Sequence, residues 1–138
     1  MALTDHDDTA GCAEAAAAAA ACGIEVLPGV EVSVTWEGMT VHVVGLAIDT
    51  AAPTLQAGLE RLREFRLWRA AEMGRRLAEH GIDGAYEGAA ALSRGRLISR
   101  THFAHYLVSR GCGKDVHDIF KHYLKRNKPG HVPGQWAA

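Results

Sequence analysis

Three side chains of types that bind metal ions stand together near the start of the sequence, in the segment Asp5-His6-Asp7. They follow Leu3 at the expected carboxyl end of a short strand, where open α/β sheets and barrels place their sites. Imidazole and carboxylate ligands together suit zinc, manganese or iron. Taken alone, the same segment could equally cap the helix predicted after it, because aspartates favour the first turn of a helix.

A β-hairpin is the next element that carries chemistry. Apolar and polar residues alternate over Val30–Trp36, and a second apolar run covers Met39–Leu46 after Glu37-Gly38, which is typical of a two-residue turn. One face of this hairpin is the predicted core side, and it carries Val30, Val32, Val34, Val41 and Val43.

The register of that hairpin brings a carboxylate and an imidazole together on the other face. A two-residue turn at positions 37–38 pairs Ser33 with His42 and Glu31 with Val44. Glu31 and His42 are then diagonal neighbours about 7 Å apart. We therefore predict a metal site built from His6, Glu31 and His42, which a one-residue slip of register would destroy.

The remaining elements are mostly helical. Asp7-Asp8-Thr9 predicts the start of a helix through the alanine run and Gly23 its end, and the next strand is predicted at Ile24–Leu27. From Thr54 the apolar residues step by three and four until Gly81, which predicts one long helix. Shorter helices are predicted around 86–92, 101–109 and 114–125, before a loop over 127–133.

Charge divides the chain into two unlike parts. Residues 1–60 contain nine acidic residues and no lysine or arginine, whereas residues 61–138 contain fifteen basic and seven acidic residues. This division suits a metal-dependent enzyme that acts on phosphates, although two solvated surfaces of opposite sign would look the same.

The three cysteines form no CxxC motif, so we expect reduced thiols. No apolar run could span a bilayer, and the first residues lack a secretory signal, so we expect a cytoplasmic location.

The sequence resembles the PHP (polymerase and histidinol phosphatase) family of metal-dependent phosphoesterases, especially its bacterial 3′,5′-nucleoside bisphosphate phosphatases. The motifs that carry the resemblance occur in the family's order over nearly the whole chain. They are Ala2-Leu3-Thr4-Asp5-His6-Asp7, Pro28-Gly29-Val30-Glu31-Val32-Ser33, Thr40-Val41-His42-Val43-Val44-Gly45-Leu46, Ile98-Ser99-Arg100-Thr101-His102-Phe103-Ala104 and Lys128-Pro129-Gly130-His131-Val132.

This resemblance implies an α/β fold, with part of a distorted seven-stranded β/α (TIM-like) barrel over residues 1–50. An all-helical insertion would follow over 51–127 and a return segment toward the barrel over 128–138. By motif position, His6, Glu31 and His42 match metal ligands, and Arg100, His102 and Lys128 match the substrate side. The family's Asp-Leu-His-x-His, Ser-Asp-Gly, Ala-His-Pro and Asp-x-His motifs have no counterpart in the right context, so the chain resembles a fragment.

The function implied is hydrolysis of a phosphate from a nucleotide of the nucleoside 3′,5′-bisphosphate type, or of a short RNA 5′ end, by metal-activated hydroxide. Two or three divalent ions (Mn, Fe or Zn) are expected in the complete protein, with no membrane partner and no binding of duplex DNA. Two alternatives are a non-catalytic metal- or anion-binding fragment of such an enzyme, inactive as the 138-residue chain, and a helical nucleic-acid-binding protein that uses the basic part.

Overall fold

The computed structural model describes residues 1–136, which form two compact units. The first unit comprises Met1–Phe65 and the segment that begins at Gly134, and the second comprises Arg66–Pro133. The predicted return segment 128–138 ends in residues 137 and 138, which lie outside the described residues. None of the helices in residues 1–136 combines the length and the apolar character that crossing a bilayer requires.

A three-stranded sheet forms the centre of the first unit. Its strands β1 (Ala2–Leu3), β2 (Leu27–Trp36) and β3 (Met39–Leu46) lie in the order β1-β2-β3. The pairing is parallel between β1 and β2 and antiparallel between β2 and β3. The described residues therefore show a mixed α/β fold, and the seven-stranded barrel stays a prediction.

The predicted hairpin register is confirmed. Ser33 pairs with His42 and Glu31 with Val44, across a turn in which Glu37 and Gly38 both have positive φ angles of 47° and 77°. Two positive φ angles give the turn the twist of the strands it joins. The separate strand predicted at Ile24–Leu27 is wrong, because β2 begins only at Leu27, where it pairs with Ala2, and runs on through Pro28-Gly29.

The core of the first unit covers only part of the predicted apolar face. Val30 is buried with Leu59, Leu62 and Trp136, and Val32 and Val34 are half-buried. The prediction that Val41 and Val43 belong to the same core is wrong, since 38% and 51% of their surfaces are exposed. Both lie on β3, the edge strand.

Helix α1 spans Gly11–Ala21 and ends in the predicted way, because Gly23 follows it with a φ of 67°. Its start differs from the prediction. Ala10 precedes the helix, and the Asp8 carboxylate accepts the Ala10 N–H at 3.0 Å. Asp7 is not a cap at all: it is fully buried and bonds to β2 instead.

Helix α2 (Pro53–Glu79) confirms the long helix predicted between Thr54 and Gly81. It is followed by α3 (Ala85–Ser93), α4 (Arg100–Ser109) and α5 (Val116–Ile119), which continues as a π-helical turn over Phe120–Leu124. The second unit has its own apolar core, which includes Met73, Leu77, Phe103, Leu107, Ile119, Leu124 and Val132. The loop after residue 126 leads back to this core at Val132.

Candidate metal centre

Backbone pairing beyond the end of β1 places His6 beside β2. Glu31 donates its N–H to the Asp5 carbonyl at 3.0 Å, and Asp7 donates its N–H to the Glu31 carbonyl at 3.0 Å. These two bonds make an isolated parallel bridge between His6 and Glu31. The side chain of His6 therefore lies next to that of Glu31.

The hairpin places His42 against the same carboxylate. The Glu31 Oε1 atom lies 3.8 Å from His6 Nδ1 and 3.9 Å from His42 Nδ1. The two imidazole rings have centroids 4.7 Å apart and planes inclined at 58°. The predicted convergence of His6, Glu31 and His42 is thus confirmed, and their binding of a metal stays a prediction.

The donor set fits a divalent ion. Two ligand bonds of about 2.1 Å allow at most ~4.2 Å between ligand atoms, and one ligand atom from each of the three residues lies within 4.8 Å of the others. Small side-chain rotations would close this difference. The side chains of His6, His42 and Glu31 are 47%, 41% and 27% exposed, so an ion can reach them. Across residues 1–136, these residues are the sole His, Cys, Asp and Glu group with such spacing.

Two buried polar residues beside this group were missed by the sequence reasoning. The Asp7 carboxylate accepts the Ser33 N–H at 2.7 Å, and Ser33 Oγ lies 3.4 Å from His42 Nδ1. Both Asp7 and Ser33 are fully buried. The predicted pairing of Ser33 with His42 was a usable signal for Ser33, whereas nothing local signalled the positive φ of 54° at Asp7.

The residues predicted to contact substrate all lie in the second unit. Arg100 is the first residue of α4 and is exposed, with its guanidinium carbon 5.7 Å from the centre of the Phe120 ring. His102 accepts the Ser99 N–H through Nδ1 at 3.0 Å and so caps α4. Lys128 is exposed in a turn after the π-helical segment. Their contact with substrate stays a prediction.

Cationic groups surround His131, which the sequence reasoning did not single out as a site residue. Burial lowers the pKa of His131, and a hydrogen bond to the Leu124 backbone raises it by less. The positive charges of Arg69, Arg100 and Arg126 lower this pKa further. Burial, Arg100 and Arg66 together lower the pKa of Arg69 to about 10. The His131 Nδ1 atom is buried and has no hydrogen-bond partner among the described residues. Such a concentration of positive charge favours an anion.

Comparison with known proteins identifies the family. No protein-family model matches the chain. The chain is 55% identical over its whole length to the 3′,5′-nucleoside bisphosphate phosphatase of Chromobacterium violaceum, and 43% identical over 99% of its length to a 5′-3′ exoribonuclease of Haemophilus influenzae. The chain belongs to the family of these phosphoesterases. It spans about half the length of these curated relatives, 49% and 50%.

Solved structures agree with this family. A structure described as an amidohydrolase from Chromobacterium violaceum, with bound sulfate, matches 99% of the chain and 49% of its own length, with a TM-score of 0.92 and 55% identity. A structure from Bifidobacterium adolescentis, described as a candidate metal-dependent phosphoesterase, matches 96% of the chain and 47% of its own length, with a TM-score of 0.85 and 27% identity. The resemblance read from the motifs is confirmed.

Proposed function

We propose that the protein is a metal-dependent phosphoesterase that removes a phosphate from a nucleoside 3′,5′-bisphosphate or acts at a short RNA 5′ end. The observation that carries the proposal is the convergence of two imidazoles and one carboxylate, from His6, His42 and Glu31, on one exposed face of the sheet. The names of the relatives, a nucleoside bisphosphate phosphatase and an exoribonuclease, support the two substrate classes.

His6, Glu31 and His42 would hold the ion, which we expect to be manganese, iron or zinc. A divalent ion at such a site polarises phosphoryl oxygens and supplies hydroxide near neutral pH. The complete protein would bind two or three ions, as the family resemblance implies. Glu31 would contribute the negative charge of the donor set, and the two neutral imidazoles would leave the site cationic overall and attractive to a phosphate.

The cationic cluster of the second unit supports a phosphate-bearing substrate. Beyond the effect of burial, the charge of Arg100 lowers the pKa of Arg69, and the charges of Arg69, Arg100 and Arg126 lower the pKa of His131. Phosphate oxygens would offset this repulsion. A guanidinium can bind such oxygens bidentately. We propose that Arg100 and Lys128, with the Nε2 atom of His102, orient the phosphates of the substrate. The sulfate bound by the Chromobacterium violaceum protein is a tetrahedral dianion of comparable shape.

We expect weak activity from the 138-residue chain alone. Three ligands are few for a centre that binds the attacking and leaving oxygens with two or three ions. The remaining ligands would come from the part of the relatives' length that the chain does not span, on further strands of a β/α barrel. When ligands are missing, the affinity for the metal ions falls and their arrangement is lost as well.

Manganese-dependent phosphate release from a nucleoside 3′,5′-bisphosphate tests the proposal. It should be measured on the 138-residue chain and on a chain extended to the relatives' full length, beside a 5′-phosphorylated RNA oligonucleotide. We expect strong release from the extended chain with at least one of these substrates. His42→Ala should weaken the affinity for manganese by more than about 100-fold and reduce the activity with it. His117→Ala, at an exposed histidine of α5, should change neither. Equal activity of the two chains, or full metal binding by His42→Ala, would show that the site is misplaced.

A further inference from the structure

The ring of His42 has two nitrogens, and only one of them can face a metal ion. The atom within hydrogen-bond distance of His42 Nδ1 is Ser33 Oγ, at 3.4 Å, while Glu31 Oε1 lies farther away at 3.9 Å. In a neutral imidazole, one nitrogen carries the proton and the other carries the lone pair. The bond that one nitrogen makes therefore decides which nitrogen can bind a metal.

Ser33 is buried beside His42, and its backbone is bonded to a second buried residue. Its side chain is fully buried, and its backbone N–H is donated to Asp7 Oδ1 at 2.7 Å. Asp7 is fully buried as well, and its own N–H is donated to the Glu31 carbonyl. Arg63 Nη1 donates to the Asp7 carbonyl at 3.3 Å, which adds a contact from α2.

Asp7 also links the two histidines through the chain. It directly follows His6, and its carboxylate binds the residue that pairs with His42 across the hairpin. Its positive φ of 54°, which is costly for a residue other than glycine, turns the carboxylate toward β2 instead of along α1. Asp7 thus joins the segment that carries His6 to the strand residue that pairs with His42.

We propose that Ser33, held by Asp7, is a positioning residue that keeps His42 in the tautomer protonated at Nδ1. The Nδ1–H group then donates to Ser33 Oγ, and the Nε2 lone pair is left for the metal ion. This inference deepens the proposed function, because it concerns the same site. Metal-bound histidines generally donate their second ring N–H in this manner, and loss of the partner weakens metal binding about 10- to 100-fold.

The tautomer can be measured on the metal-free chain by long-range ¹H–¹⁵N NMR of the imidazoles at pH 8. We expect His42 in the Nδ1–H form in the parent chain, and a shift toward the Nε2–H form in Ser33→Ala. Ser33→Thr keeps a hydroxyl and should restore the Nδ1–H form. Thr54→Ala removes an exposed hydroxyl at the start of α2 and should leave the tautomer unchanged.

Manganese affinity, measured by calorimetry on the same variants made in the extended chain, provides the second readout. Ser33→Ala should weaken it 10- to 100-fold, and Thr54→Ala should not. An Nε2–H tautomer in the parent chain, or an unchanged tautomer in Ser33→Ala, would overturn the inference. Failure of the extended parent chain to bind manganese would instead overturn the proposed function, since the tautomer is read without metal.

Discussion

Arg100 allows the proposed phosphate contact to be tested separately from metal binding. It lies at the start of α4 in the second unit, while the three candidate metal ligands lie in the first. In an extended, active chain, Arg100→Ala should lower kcat/KM about ten- to a hundredfold, the cost of a lost charge-assisted contact. Metal content should stay at the parent level.

The control for this substitution is Arg96→Ala, an exposed arginine four residues earlier. It should leave both kcat/KM and metal content unchanged. A value of kcat/KM for Arg100→Ala within about twofold of the parent would rule out a phosphate contact. Loss of metal would mean that Arg100 supports the metal ligands instead.

We expect His102 to make the stability of the second unit depend on pH. Burial and the charge of His105 hold the pKa of His102 below its ordinary value, so the unfolded chain takes up a proton before the folded chain as the pH falls. Stability is therefore lost below about pH 6.5, and His131, whose pKa is lowered as well, acts in the same direction. The urea midpoint, followed by helical circular dichroism, should fall between pH 7.5 and pH 5.

His102→Gln tests this assignment. Glutamine at this position can still accept the Ser99 N–H, but it does not titrate. The urea midpoint should then fall less on acidification, with a residual fall from His131. His117→Gln, on α5, should keep the full pH dependence, and the assignment fails if His102→Gln keeps it too.

At the scale of single residues, the periodicity of the sequence predicted the side chains that share a strand face. It missed a buried side chain whose partner is distant in the sequence. Glu31 and His42 were predicted together because strand side chains alternate and a two-residue turn fixes the register. Asp7 was assigned to a helix cap because an aspartate before an alanine run is a strong local pattern. Its actual partner, Ser33, is 26 positions away, and no local pattern reports that contact.

At the scale of elements, a glycine lets β2 pass between its neighbours. A Cβ atom at Gly29 would lie 2.8 Å from the Leu3 carbonyl oxygen and 3.0 Å from that of Gly45, on opposite sides of β2. Gly29→Ala should therefore lower the free energy of unfolding by roughly 1–3 kcal/mol. Urea unfolding, followed by circular dichroism, measures the change.

Gly58 provides a matched substitution with the opposite sign. It lies within α2, and no atom would lie within 4 Å of an added Cβ. Gly58→Ala should raise the free energy of unfolding by ~1 kcal/mol, because alanine favours helix more than glycine does. An unaffected Gly29→Ala would contradict the close packing described for the sheet. A destabilised Gly58→Ala would contradict the open space described beside α2.

Strand boundaries were predicted less well than helices. The segment Ile24–Leu27 looked like a strand, yet a strand needs a partner along its whole length, and β1 is only two residues long. Helix α2 was predicted closely because its hydrogen bonds are internal and its apolar stripe repeats over 27 residues. The alternation of β3 predicted burial, but the core of the first unit reaches Val30 and not Val43.

At the scale of the whole molecule, β3 is an apolar edge strand with both faces exposed. Its exposed side chains include Met39, Val43, Val44 and Leu46, and edge strands of this kind pair with other chains. We expect concentration-dependent self-association of the 138-residue chain, measurable by sedimentation velocity. Val43→Lys should suppress it, because a lysine on an edge strand blocks pairing.

Leu92→Lys is the control for this effect. Leu92 is about as exposed as Val43, at 47%, but it lies on helix α3 of the second unit. Its substitution should leave the sedimentation profile unchanged. Suppression of association by Leu92→Lys, or none by Val43→Lys, would place the association surface elsewhere.

Trp136 determines when the first unit can be completed during protein synthesis. Its N–H donates to Thr35 Oγ1 at 2.8 Å, its indole Nε1–H donates to Thr40 Oγ1 at 3.2 Å, and its ring lies against Phe65 with centroids 5.0 Å apart. The ribosome makes all three of those partners before any residue of the second unit. At ~5–20 residues per second, the hairpin, which ends at Leu46, waits roughly 4.5–18 s for this tryptophan. During that interval the nascent chain carries an unfinished core, in which the chaperones of the cell have a binding site that the finished protein no longer offers.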